Sequence, residues 1–202
     1  MGLLIAFAAA CGAAAYAQSP APKASLPPLL PREKEIALAL SAAPPELGKN
    51  ATVYVLEEKG YVKARDGNNG FACLVSHDAP ESVEPECYDA EGAETHLPRV
   101  LRVAELRAQG KTRAQIDAEV AEGFASGKFR APRRPGIVYM LSTANKVVAD
   151  EATGRIVSFP PHLMFYAPYL TNADIGVTSF RDAKVFILRE GTPHALMIVP
   201  VP

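Results

Sequence analysis

Two histidines in matching surroundings are the residues best placed to do chemistry. Pro161-His162-Leu163-Met164-Phe165-Tyr166-Ala167-Pro168 and Pro193-His194-Ala195-Leu196-Met197-Ile198-Val199-Pro200 share one form, Pro-His, five apolar-rich residues, then Pro. Each reads as a short strand with prolines at its ends, where a missing N–H costs least. If the strands were parallel neighbours, both imidazoles would sit at one end of the sheet. With Asp174 of the Thr171-Asn172-Ala173-Asp174 turn they would then make a two-histidine, one-carboxylate metal set. Antiparallel neighbours would hold them about a strand length apart, at roughly 3.3 Å per residue. No HExxH or HxH spacing demands a metal, and a strand-start histidine bonded to a loop carbonyl explains both positions. Phe165, Tyr166, Tyr169 and Leu170 form an aromatic-rich patch beside the same turn, either core or the wall of a pocket for an apolar or aromatic ligand. The ligand-binding candidates are therefore His162, Tyr166, Asp174 and His194. No catalytic residue, metal site or cofactor is assigned.

Cys73 and Cys87 are separated by 13 residues and belong to no CxxC pair. In an exported chain an even count of two reads as a disulfide, ahead of a metal pair or a nucleophile. There is no GxSxG, no Rossmann glycine triplet and no SxxK. Gly110-Lys111-Thr112 resembles the end of a phosphate-binding loop, but Glu105 stands where that loop requires glycine, and a helical pattern precedes it. Asp66-x-Asn68 starts like a calcium loop, yet no acidic residue closes it at the twelfth position.

The N-terminus carries an address. Gly2 to Pro22 holds no charge, and Leu3 to Ala17 reads LLIAFAAACGAAAYA, too short for the ~20 residues of a membrane-spanning helix. It ends in Ala15-Tyr16-Ala17, the small-x-small pattern of a signal-peptidase site, although the usual Lys or Arg is missing from the first residues. Cys11 after Ala8-Ala9-Ala10 is a weak lipoprotein box, without the branched residue such boxes carry. The expected organisation is a signal peptide over 1–17, a Pro-rich tether over 18–30, and one globular domain over 31–202, periplasmic or secreted, with no membrane span in the mature chain.

The elements that position the candidates follow from periodicity. Pro31 opens a short helix carrying Ile36 and Leu40 one turn apart, and Pro44-Pro45 closes it. From Ala51 the period drops to two. Thr52–Leu56, Tyr61–Arg65 and Phe71–Val75 predict a β-meander, with Glu57–Gly60 and Asp66–Gly70 as its turns. Residues 77–96 carry seven carboxylates (Asp78, Glu81, Glu84, Glu86, Asp89, Glu91 and Glu94) and read as an acidic loop, whereas 99–134 carries nine basic residues against four acidic. Such segments could bind a divalent cation and an anion respectively; the simpler reading is that they face water or each other. Leu97, Leu101 and Ala104 share a stripe that Gly110 ends, and Thr112 and Gln115 have capping-box spacing before Ile116, Val120 and Phe124. Together these predict an αα-hairpin. Strands follow at Ile137–Leu141, Lys146–Ala149, Arg155–Phe159, His162–Ala167, Val185–Leu188 and His194–Val199. The expected fold is α+β, an antiparallel or mixed sheet with the αα-hairpin and the short N-terminal helix packed on one face.

Composition limits the function classes. The chain has 202 residues, 49% hydrophobic and 21% charged, with a formal net charge of −1; its mean hydropathy is +0.04. This is a folded globular chain, which excludes a disordered protein, a coiled coil and a polybasic nucleic-acid binder. Gly70-Phe71-Ala72-Cys73-Leu74-Val75, Pro132-Arg133-Arg134-Pro135-Gly136, the Pro161–Pro168 string and Thr171-Asn172-Ala173-Asp174-Ile175-Gly176 together resemble an uncharacterised family of exported bacterial proteins, over roughly residues 32–202. The resemblance implies export and carries no activity. The functional expectation is a non-catalytic domain that binds a small molecule or an envelope protein. The alternative is a metal-assisted hydrolase or lyase using His162, His194 and Asp174. Cleavage after Ala17 is predicted, so the intact mass of the exported protein should correspond to a chain starting at Gln18. A chain retaining Leu3 to Ala17, or a lipid on Cys11, would refute it.

Overall fold

A computed structural model describes residues 25–77, 79–150, 153–179 and 183–201. The signal peptide, Cys11 and the first part of the tether lie outside the described residues. The elements run α1 (Arg32–Leu40), α2 (Pro45–Gly48), β1 (Thr52–Glu57), β2 (Gly60–Arg65), β3 (Ala72–Ser76), β4 (Glu84–Tyr88), α3 (Ala90–Thr95), α4 (Leu97–Ala108) and α5 (Arg113–Ala125). They continue with β5 (Ile137–Met140), β6 (Lys146–Asp150), β7 (Arg155–Ser158), β8 (His162–Tyr166), a 3-10 turn (Ala173–Ile175), β9 (Phe186–Leu188) and β10 (Leu196–Pro200). The fold is α+β. Its main sheet has eight strands in the order β2-β1-β3-β4-β5-β8-β10-β9, and β6-β7 forms a separate hairpin.

The first three strands are not a meander. β2 pairs antiparallel with β1, but β3 pairs parallel with β1 on its other side. The Asp66–Gly70 segment does not turn back along β2. It crosses the start of β1, where Asn68 N–H donates to Asn50 O at 2.9 Å and Asn69 Nδ2 donates to Leu47 O at 2.8 Å. Thr52 N–H then donates to Phe71 O at 2.8 Å, which starts the parallel pair. These backbone and amide bonds satisfy a loop that a tight hairpin would have left out. The acidic loop is also not a loop. Glu84-Pro85-Glu86-Cys87-Tyr88 is the central strand β4, and Asp89 caps α3 by accepting from Gly92 N–H at 2.9 Å. Glu84, Glu86 and Glu91 are buried, at 8%, 8% and 7% exposure.

The helices divide between the two faces of the sheet, where the sequence had suggested one. Ala39 of α1, with Ala42 and Ala43, packs on Val53, Cys73, Val75 and Cys87. Leu97 and Val100 of α4 belong to the opposite core with Leu74, Tyr88, Val138, Met164 and Ile198. The alternation along β3 explains the split, since Cys73 and Val75 point one way and Leu74 the other. Small alanines let α1 approach the cysteine face closely. The αα-hairpin forms as expected: Gly110 (φ 69°) follows α4, and Thr112 and Gln115 make the reciprocal capping box of α5. Leu106 packs with Ile116 and Val120 to join the two helices. The end of the tether is also engaged, because Leu26 and Pro27 line a small pocket of about 30 Å³ with Tyr61 and α4.

Cys73 and Cys87 lie directly opposite each other in the β3–β4 ladder and are joined by a disulfide. The bond closes 14 positions of chain, a loop for which the chain-entropy model gives about 3 kcal/mol. Both sulfurs sit in the fully buried core under α1. A Cys73→Ala, Cys87→Ala variant is expected to lose about 3 kcal/mol of unfolding free energy in urea titrations. Two free thiols titrating in denatured, unreduced wild-type protein would count against the bond.

Candidate functional site

The two histidines do not converge. β8 and β10 are antiparallel, with His162 opposite Pro200 and Tyr166 opposite Leu196. His194 precedes Leu196, so the backbones of the two histidines stand at least four residue steps apart along the ladder, about 13 Å at 3.3 Å per residue. Asp174 is exposed on the 3-10 turn, and its carboxylate accepts from Thr171 N–H (2.8 Å) and Thr171 Oγ1–H (2.6 Å). Those bonds hold its pKa below the usual carboxylate value. His162, His194 and Asp174 therefore share no coordination sphere, and no cluster of three metal-ligating side chains occurs among the described residues.

Tyr166 is committed to the fold. Its hydroxyl lies 2.8 Å from Asp89 Oδ1 and 3.1 Å from Ile137 O. Burial, followed by the Asp89 hydrogen bond, pushes its pKa far up. Asp89 also accepts from Ile137 N–H through Oδ2 at 2.9 Å. A Cβ on Gly92 would overlap the Tyr166 hydroxyl, and one on Gly136 would overlap Asp89 Oδ2 and the Tyr166 ring. Next to this cluster Glu91 accepts from Arg133 N–H and Arg134 Nε–H, both at 2.8 Å, which lowers its pKa. The acidic and basic segments thus do face each other here, and the Pro132–Gly136 string is an anchored crossover.

His162 and His194 instead serve two different pockets. The first, of about 320 Å³, lies between the sheet and the β6–β7 hairpin. Met140, Met164 and Ile198 line it from the sheet, and Val147, Val148 and Phe159 from the hairpin side. Its polar groups are Glu84, Glu86, Asn145 and His162, with Arg113 and Arg189 at one end. His162 is 3% exposed and its Nδ1 lies 2.9 Å from Pro160 O. A carbonyl only accepts, so Nδ1 carries the hydrogen and Nε2 is an acceptor. Burial lowers the pKa of this ring and keeps it neutral. Asn145 is 1% exposed; its Nδ2 donates to Met140 O at 3.1 Å, while Oδ1 has no hydrogen-bond partner. Tyr88 Oη–H donates to Glu86 Oε2 at the edge of the same core.

The second pocket, of about 530 Å³, lies between α4, α5 and the loop before β10. Arg99, Arg107, Arg113, Arg189 and His194 line it, and His194 stacks on Phe124 with ring centroids 5.2 Å apart. Comparison with protein-family models, curated proteins and solved structures returns no match. The reading of the site rests on its geometry.

Asn145, Glu84, Glu86, Arg113 and Arg189 were missed as site residues. The alternation Glu84-x-Glu86-x-Tyr88 was the available signal: a period of two with carboxylates on one side is a strand whose acids share a face. Nothing in the sequence marks Asn145 or Arg189. A further group emerges in His96, at 1% exposure, with neither ring nitrogen hydrogen-bonded and its ring stacked on Tyr166 at 4.8 Å. Burial, then the charges of Arg99, His194 and Arg189, hold its pKa well below the ordinary value. The unfolded chain protonates this histidine near pH 6.5 and the folded chain does not, so stability is intact above that pH and declines as pH falls below it. Replacing the ring by phenylalanine, His96→Phe, should flatten the loss of unfolding free energy between pH 7 and pH 5 by up to about 1.4 kcal/mol per pH unit. An unchanged slope in denaturation series across that range would exclude His96 as the linked group.

Proposed function

We propose that this is an exported, non-catalytic ligand-binding domain whose ligand enters the pocket beneath the β6–β7 hairpin. The export part rests on the Leu3–Ala17 signal pattern and is supported by the Cys73–Cys87 disulfide, a bond of oxidising compartments. The binding part rests on one observation above the others, a mainly apolar cavity of about 320 Å³ with Glu84, Glu86, Asn145 and His162 set into its wall. Glu84, Glu86 and His162 are acceptor-bearing residues of that wall. Two carboxylates, His162 and Asn145 form the polar part of the wall with Arg113 and Arg189, and apolar side chains form the rest. The matching ligand is a small, mainly apolar molecule with a donating head, a hydroxyl or an ammonium.

The reading is checked with benzylamine, benzyl alcohol and toluene, which share one apolar body and differ in the head. The first two should raise the melting temperature by a few degrees, since ligand at ten times its Kd contributes about 1.4 kcal/mol. Toluene should do less. Val148→Trp, which fills the cavity from the hairpin, should abolish the response. Equal shifts from all three probes, no shift at all, or a response that survives Val148→Trp would each dismiss this pocket as the binding site.

A further inference from the structure

The backbone of the β6–β7 hairpin is fastened to the protein at its base. The two strands form a sheet of their own, outside the eight-stranded one. Among the described residues, the backbone-to-backbone bonds from this hairpin to the rest of the molecule join a single pair. Lys146 N–H donates to Val83 O and Val83 N–H donates to Lys146 O, both at 2.8 Å. With both its backbone groups on Val83, Lys146 bonds nothing across to Ser158, and alternation leaves Val147 and Val157 as the pair bonded to each other. Phe159 N–H closes the base by donating to Asn145 O at 3.0 Å.

Burial divides the pocket along the same line. No described side chain of β6 or β7 is buried, and Ile156 is 45% exposed. The floor beneath is the reverse, since Met140, His162, Met164 and Ile198 are all buried. Both stems of the hairpin are fixed as well. Asn145 is buried and donates through Nδ2 to Met140 O at 3.1 Å, and Pro160 O lies 2.9 Å from His162 Nδ1. The rings of Pro160 and Pro161 lock φ and stiffen the second stem. The firm structure therefore ends at Asn145 and Phe159, where the thinly covered strands begin.

An isolated two-stranded hairpin is marginally stable in water, and one without buried side chains has little beyond its own ladder to hold it down. Local opening costs least where buried apolar contacts are fewest. We propose that the β6–β7 hairpin is a hinged lid, in which Lys146–Ala149 and Arg155–Ser158 swing as one unit about the Val83–Lys146 pair and uncover the pocket. As an entry route for ligand the lid rests on the reading of that pocket as the binding site; the opening itself does not. A bound ligand gives Val147 and Val148 an apolar surface to cover, so occupancy favours the closed state through that extra contact.

Residue-resolved hydrogen exchange on the oxidised protein tests the hinge. Without ligand, the amides of Val147 and Val157 should share one opening, with protection at least about a hundredfold below that of the ladder amides of β5 and β8. Lys146→Pro removes a donor of the hinge pair and no bond inside the hairpin, at a strand's first residue, where proline is tolerated. It should lower the protection of both valines a further severalfold and leave β5 and β8 unchanged. The wild-type rates decide the matter alone if that variant does not fold. Saturating benzyl alcohol should raise the protection of both valines at least tenfold. Protection equal to that of β5 and β8 would overturn the lid, as would separate rates for the two valines or indifference to Lys146→Pro. Benzyl alcohol that raises the melting temperature yet leaves both valines unprotected would overturn it while sparing the binding reading. Shared opening with no response to benzyl alcohol, in exchange or in melting, would instead support the hinge and end the binding reading.

Discussion

The side of the sheet that carries both pockets hangs from one carboxylate. Asp89 stands where β4 ends and accepts three hydrogen bonds, from Gly92 N–H at the start of α3, from Ile137 N–H at the start of β5, and from the Tyr166 hydroxyl at the end of β8. Hydrogen bonds to a charged group are worth about 1.5–3 kcal/mol each, and removing this carboxylate would take away the partner of three part-buried donors at once. The geometry tolerates no added atom, since Gly92 and Gly136 both press on this cluster. α3 runs directly into α4 at His96-Leu97, so the same carboxylate fixes where Arg99 and Arg107 stand over the sheet.

β4 shows how a strand can be central and still carry charge. Its Pro85 and Cys87 side turns to the α1 core, where the disulfide and the alanines of α1 exclude water. Its Glu84, Glu86 and Tyr88 side turns to the pockets, where Tyr88 donates to Glu86 and guanidinium groups stand close by. Burying carboxylates is costly unless they are paired and hydrogen-bonded, so a fold that places them centrally must surround them with donors. Part of that surrounding comes from the basic segment between 99 and 134, whose Arg113 lines the same pocket as Glu84 and Glu86.

What the sequence revealed follows from which forces are local. The capping box of Thr112 and Gln115, the helix end at Gly110, the β6–β7 hairpin and the cysteine pair are set by residues near each other or by a single compulsory partner, and all could be read directly. The parallel β1–β3 pair could not, because Asn68, Asn69 and Phe71 bond to residues about twenty positions earlier. The Pro-His echo pointed correctly to two short strands. It could not say that they run antiparallel, and that one fact separates His162 from His194. Asn145 follows a turn of small residues and carries no pattern of its own. Its role depends on the distant residues that enclose it.

Asp174 shows how a residue can matter to a site without touching it. Its carboxylate holds Thr171 by two hydrogen bonds and so fixes the turn that presents Asn172. Asn172 is buried, and its amide takes both backbone groups of Ile187, accepting from N–H at 2.8 Å and donating to O at 3.0 Å. Its own N–H and Nδ2 donate to Glu190, at 2.7 and 3.0 Å. These bonds bracket Arg189, which sits between Ile187 and Glu190 with φ 54°, a conformation a non-glycine residue keeps only when its neighbours impose it. The clamp therefore sets the guanidinium that borders both pockets. The same arginine lines both pockets, and a turn whose Asp174 was read in the sequence as a metal ligand supplies its support.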